Sequence, residues 1–144
     1  MMRHRGFKRS KAMIFWACII AAGIGFVARP AAWAAAEDEA FPEEISVAQA
    51  RAKLHAGAFI LDVREPEEYA SGHIPEATLI PLSQLEKRAN ELPRDKEIVV
   101  VCRSGGRSAM GRDILKKAGF TKVASMAQGM NAWKAAGYPI AQIP

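Results

Sequence analysis

Hydrophobic and polar positions divide the chain into one long apolar opening run and a later alternation of short apolar bursts with mixed stretches. From Ala12 to Ala28 no residue is charged, and Met13, Ile14, Phe15, Trp16, Ile19, Ile20, Ile24, Phe26 and Val27 make the run strongly apolar. Beyond residue 45 the bursts shorten to strand length: Ala58–Val63, Ala77–Ile80, Glu97–Val101 and Lys122–Ser125. Continuous apolar runs of this length are the mark of strands buried on both faces. Helix signals fall between them. Ser46-Val47-Ala48-Gln49 and Ser83-Gln84-Leu85-Glu86 read as capping boxes, the first helix stopping at Gly57 and the second near Leu92 before Pro93. Glu65-Pro66-Glu67-Glu68 places a proline and acids in the first turn of a short helix. Ser108–Ala118 is predicted helical, with Lys116 and Lys117 in the last turn and Gly119 as its stop, and Gly129–Ala136 is the final helix. Strands alternating with helices across short connections predict an α/β fold, a mostly parallel sheet flanked by helices on both faces. Ligands in such sheets sit outside the carboxyl ends of the strands. The segment after Val101 occupies that position.

The opening run changes the reading of charge and compartment. Arg3, Arg5, Lys8, Arg9 and Lys11 precede it with no acid among them, and Ala31-Ala32-Trp33-Ala34-Ala35-Ala36 follows it. Basic, then apolar, then small residues at A-x-A spacing is the pattern of a secretory signal. Residues 1–36 are therefore assigned as a signal peptide, 37–44 as an acidic N-terminal stub and 45–144 as one domain. An uncleaved membrane anchor is the alternative, but the uncharged run would reach only about 25 Å of a roughly 30 Å hydrocarbon core. The expected location is the periplasm, or the inner membrane facing the periplasm if the segment is retained. Of the 20 basic residues six precede Ala34, so the excess of +5 over 15 acids vanishes once the signal is removed. The basic balance belongs to the signal and gives no case for nucleic acid binding. Any membrane contact is expected only through an uncleaved N-terminal segment.

Cysteine usage sharpens the chemistry. Cys18 lies in the apolar run and reads as a small hydrophobe, leaving Cys102 as the one thiol of the exported chain. No internal disulfide can then form, and the absence of a C-x-x-C pair argues against a thiol-disulfide oxidoreductase. Cys102-Arg103-Ser104-Gly105-Gly106-Arg107-Ser108 joins the strongest strand to a helix start. The helix presents free N–H groups and the positive end of its dipole to that loop. Gly105 and Gly106 allow successive amides to turn inward as an anion cradle, and Arg103 and Arg107 add positive charge. A thiol so placed is expected to ionise readily without a partner base. Asp62 and Arg64 flank a strand end and are expected to pair or to orient the loop. His55 and His73 read as structural or solvent-exposed, and Trp133 as packing. Met110, Met126 and Met130 share no ligand spacing and read as filling core or rim gaps.

Several segments together resemble the rhodanese family: Leu61-Asp62-Val63-Arg64, Glu68-Tyr69, Gly72-His73-Ile74-Pro75-Glu76-Ala77, the Cys102–Ser108 loop, and Gly129-Met130-Asn131-Ala132-Trp133 with Gly137-Tyr138-Pro139-Ile140. The likeness covers roughly Ile45 to Ile140. Cys102 and Arg107 enclose four residues, as in sulfur-transferring rhodaneses, whereas the related phosphatases and arsenate reductases enclose five. The resemblance implies a single-domain sulfurtransferase working through a Cys102 persulfide. Its donor would be a small anionic sulfur compound such as thiosulfate, its acceptor a thiol or a protein. Arg103, Ser104, Gly105, Gly106, Arg107 and Ser108 would form the binding loop, with Asp62, Arg64 and His73 in support. No metal or organic cofactor is implied, and a monomer is expected. The alternative is a non-enzymatic rhodanese-like binding or redox-sensing module, whose usual mark, a missing cysteine, is not found here.

Overall fold

The computed structural model describes residues 40–143. The export assignment for residues 1–36, Cys18 with it, and the start of the acidic stub lie outside the described residues. Among the described residues no helix is long and apolar enough to cross a membrane.

Strands β1 (Glu44–Ile45), β2 (Phe59–Asp62), β3 (Thr78–Leu79), β4 (Ile98–Val101) and β5 (Val123–Met126) form one sheet in the order β1-β5-β4-β2-β3. Every pairing is parallel. β4 lies at the centre, in register with β2 from Phe59↔Ile98 to Asp62↔Val101. After β2 the chain moves outward to β3, and after β4 it moves the other way to β5. The crevice between the carboxyl ends of β2 and β4 is thus a topological switch point, the place where such sheets bind ligands. Cys102 stands directly after β4.

Helices α1 (Val47–His55), α2 (Pro66–Ala70), α3 (Leu82–Arg88), α4 (Gly106–Lys117) and α5 (Gly129–Ala135) supply the connections, with a 3-10 turn at Ala89–Glu91. Alternate side chains of each strand feed two cores. On one side Leu61, Val63, Ile98, Val100 and Val123 pack with Leu85 of α3 and Leu115 of α4. On the other Ile60, Val99, Val101 and Met126 pack with Ala50 of α1 and Met130 and Trp133 of α5. Both faces of the sheet are covered, as the uninterrupted apolar runs require.

Local signals decide some element boundaries and tertiary contacts override others. The Ser46 capping box forms in full, Ser46 Oγ accepting from Gln49 N and Gln49 Oε1 from Ser46 N. The second expected box does not form. α3 begins at Leu82 behind Pro81 (φ −52, ψ 142), and Ser83 falls inside its first turn. Leu82 N donates to Val63 O at the end of β2, so the sheet sets where this helix starts. α4 opens at Gly106 rather than Ser108, because Gly105 takes φ 108 and serves as the N-cap. β1, to which the sequence pattern assigned no element, exists by pairing with β5 and by Ser125 N donating to Glu43 O.

Two devices hold the carboxyl edge. Asp62 and Arg64, 1% and 3% exposed, form a buried pair with Arg64 Nη2 2.6 Å from Asp62 Oδ2. Arg64 also donates to the carbonyls of Glu68 and Gly72, tying α2 and the following turn to the end of β2. On the other flank α5 docks its first amides on the thiol loop: Met130 N donates to Cys102 O at 2.8 Å and Asn131 N to Arg103 O at 3.0 Å. Gly129 makes this approach possible, since a Cβ there would lie 2.1 Å from Cys102 O.

Gly129→Ala combines that overlap with a left-handed backbone, and is expected to lower unfolding free energy by roughly 2–5 kcal/mol in urea titration. Asp62→Ala strands a buried guanidinium and is expected to cost about 3–5 kcal/mol by the same measurement. A loss under about 1 kcal/mol in either would remove that device from the account.

Candidate active site

Cys102 is 1% exposed and sits at the end of the central strand, facing the first turn of α4. Gly105 N donates to Cys102 Sγ at 3.1 Å. Ser108, fully buried, brings its hydroxyl to 3.6 Å from the sulfur while donating to Gly105 O at 2.8 Å. The chain can turn back on itself this tightly because Gly105 adopts the left-handed region at φ 108. Its early start makes Gly106, Arg107 and Ser108 the first turn of α4, where backbone N–H groups have no partner within the helix.

Burial is the largest single influence on the thiol and works against ionisation. Hydrogen bonding with the Ser108 hydroxyl and with the amides of Ser108, Gly105 and Ser104 together outweighs it, so Cys102 ionises below its ordinary value. Dipoles rather than a partner base therefore shift the thiol toward the thiolate. The expected arginine contribution takes a different form. Arg103 is exposed, and its carbonyl is what α5 grips. Arg107 turns its guanidinium to Glu68, with Nη1 at 2.7 Å from Oε2 and Nη2 at 2.8 Å from Oε1. This bidentate bond, ahead of the smaller pull of Glu65 N, draws the Glu68 carboxyl down to about 2 against a burial effect in the other direction.

The remaining sequence candidates divide between scaffold and site. Asp62 and Arg64 pair, as one of the two expected arrangements had it, and lie at the end of β2 beside the loop. His73 is buried, stacked on Tyr69 at 3.7 Å between centroids, with Nδ1 at 2.9 Å from Tyr69 O. It holds the turn after α2 and makes no described bond to the loop. His55 ends α1 ahead of the amino end of β2, away from Cys102. Trp133, Met126 and Met130 are core, while Met110 is exposed on α4. Glu68 is the residue that sequence reasoning missed at the site. It was visible as an acid in a helix first turn and within the Glu68-Tyr69 segment of the resemblance, but with no role assigned, and its partner lies 39 residues away.

The arrangement surrounds one sulfur with the Gly105 amide and the Ser108 hydroxyl, and among the described residues no His or carboxylate is bonded to it. The Rhodanese-like domain family matches residues 46–136, a span that contains every element from α1 to α5. Thiosulfate sulfurtransferase 16, chloroplastic, from Arabidopsis thaliana is 35% identical over 116 residues, covering 72% of this chain and 97% of that protein. The Bacillus subtilis protein YrkF is 53% identical over 74 residues, 51% of this chain, and the match spans only 40% of YrkF's own length. Among solved structures, a rhodanese-related protein from Thermoplasma volcanium superposes with a TM-score of 0.65 at 33% identity, over 69% of this chain and 97% of that one. With the thiol loop, four of the five parallel strands and both flanking helix layers inside the matched span, the chain belongs to the rhodanese-like domain family, among whose members are sulfurtransferases.

Proposed function

We propose that this protein moves sulfane sulfur from thiosulfate or a persulfide donor to a thiophilic acceptor through a persulfide on Cys102. The observation that carries the reading is the Gly105 amide donating to Cys102 Sγ at 3.1 Å, at the mouth of a loop whose other amides also lower the thiol's pKa. In the first half-reaction the Cys102 thiolate attacks the outer sulfur of the donor. The donor's S–S bond breaks and its electron pair leaves with sulfite, or with a thiolate when the donor is a persulfide. The new terminal sulfur carries the negative charge, and the amides that held the thiolate are placed to receive it. In the second half-reaction an acceptor thiolate attacks that terminal sulfur, the Cys102–sulfur bond breaks, and Cys102 leaves as thiolate. Charge is conserved in each step and no proton need be moved by a neighbouring side chain.

Loop size favours sulfur over phosphate chemistry. Four residues separate Cys102 from Arg107, and Arg107 is held by Glu68 rather than turned across the loop. A tetrahedral oxyanion would need a wider ring of donors. The signal reading of residues 1–36 puts this chemistry in the periplasm, and the acceptor is then a thiol or protein of that compartment.

Incubating the reduced, purified protein with thiosulfate is expected to add one sulfur, roughly 32 Da, and Cys102→Ser should abolish both the adduct and turnover. The intact mass also reports whether residues 1–36 have been removed. A confirmed free thiol that takes up no sulfur from thiosulfate or from a persulfide would leave the binding-module alternative as the better answer. The alkylation rate of Cys102 against pH should show a midpoint below that of an ordinary cysteine. Because hydrogen bonding lowers the thiol pKa while burial raises it, Ser108→Ala should move that midpoint upward. A midpoint unchanged by Ser108→Ala would contradict the hydroxyl's share.

A further inference from the structure

Resting on that sulfurtransferase reading, we infer that Glu68 is a positioning residue that sets donor preference: by holding Arg107 through both terminal nitrogens it disfavours dianionic thiosulfate and favours organic persulfides. The charges at the loop carry the case. Two guanidinium groups belong to it, those of Arg103 and Arg107. The second is engaged in a fork-to-fork pair with Glu68 at 2.7 and 2.8 Å. Such a bidentate pair uses the donors by which an arginine would grip a sulfonate or sulfate group.

Glu68 is itself fastened. Its carbonyl accepts from Arg64, its carboxylate accepts from Glu65 N, and its carboxyl stays ionised down to about 2. Protonation therefore does not release Arg107 at any working pH. The charge of Glu65 also acts on Arg107. The two cations of the loop are matched in number by Glu68 and Glu65, which leaves the entrance near neutral before the thiolate is counted. A donor with two negative charges gains little there, and it must displace a carboxylate to use Arg107. An alkyl persulfide brings one charge, carried on the terminal sulfur that the amides are placed to receive, and asks nothing of Arg107. Arg103, exposed and without a carboxylate partner among the described ion pairs, is the one cation left for an anionic donor.

The test compares thiosulfate with 2-hydroxyethyl persulfide, whose body is uncharged, in the wild type, Glu68→Gln and Glu68→Asp. Glu68→Gln is expected to lower KM for thiosulfate about two- to fivefold, the range an ion pair of this exposure can move. KM for the persulfide should change by less than twofold in the same variant, and any change in kcat should be the same for both donors. Glu68→Asp keeps the carboxylate and should keep the wild-type ratio of the two KM values. Equal changes with both donors, or a fall in kcat alone, would mean that Glu68 only braces the loop, and the inference would be overturned. If Glu68→Gln does not fold, the salt dependence of the wild type decides. A near-neutral entrance predicts kcat/KM for thiosulfate almost flat with ionic strength, and a steep fall overturns the inference. Failure of the wild type to take sulfur from either donor would instead remove the sulfurtransferase reading, and this inference with it.

Discussion

A buried thiol whose ionisation is opposed by burial and favoured by hydrogen bonding is the constraint around which the carboxyl edge of this sheet is organised. Burial alone would keep Cys102 protonated, and burial is the strongest single influence on it. What opposes it is the dense set of amide dipoles that the β4–α4 turn aims at Sγ, joined by the Ser108 hydroxyl. These dipoles belong to the backbone, so they cost no side-chain entropy to hold and need not reorganise when the thiol ionises. The turn is available only because Gly105 takes a left-handed conformation and lets α4 start at once.

Such a turn is of use only if it is held still, and the neighbouring elements do that from two sides. α5 approaches so closely that its first residue has no room for a Cβ, and two of its amides bind the carbonyls of Cys102 and Arg103. Across the crevice the buried Asp62–Arg64 pair binds the carbonyls of Glu68 and Gly72, which fixes α2. α2 in turn offers Glu68 to Arg107 on the first turn of α4. The path from the end of β2 to the thiol loop is thus a continuous run of charge-assisted hydrogen bonds. Arg107 belongs to this frame.

Reading the chain alone recovered what depends on neighbours a few residues apart. The α1 capping box closes within three residues, so its sequence signature and its geometry coincide. The apolar bursts identified the long strands because both faces of each are covered, which leaves no polar alternation to confuse the pattern. Cys102 and the glycines stood out for the same local reason, whereas the expected helix start at Ser108 fell two residues late because Gly105 caps the helix. Ser83 misled because an equally good local signal lost to Pro81 and to the bond from Leu82 to the end of β2.

By itself, then, the sequence determined the class of sheet, the order of elements and the thiol loop at a strand's carboxyl end, since periodicity and turn chemistry are short-range properties. Tertiary structure alone decided the edge strand β1, which exists through pairing with β5 some eighty residues away. It also decided the Gly129 contact and the partner of Arg107. These depend on which surfaces meet when the layers close, and a charge whose partner arrives from another helix looks free until that happens.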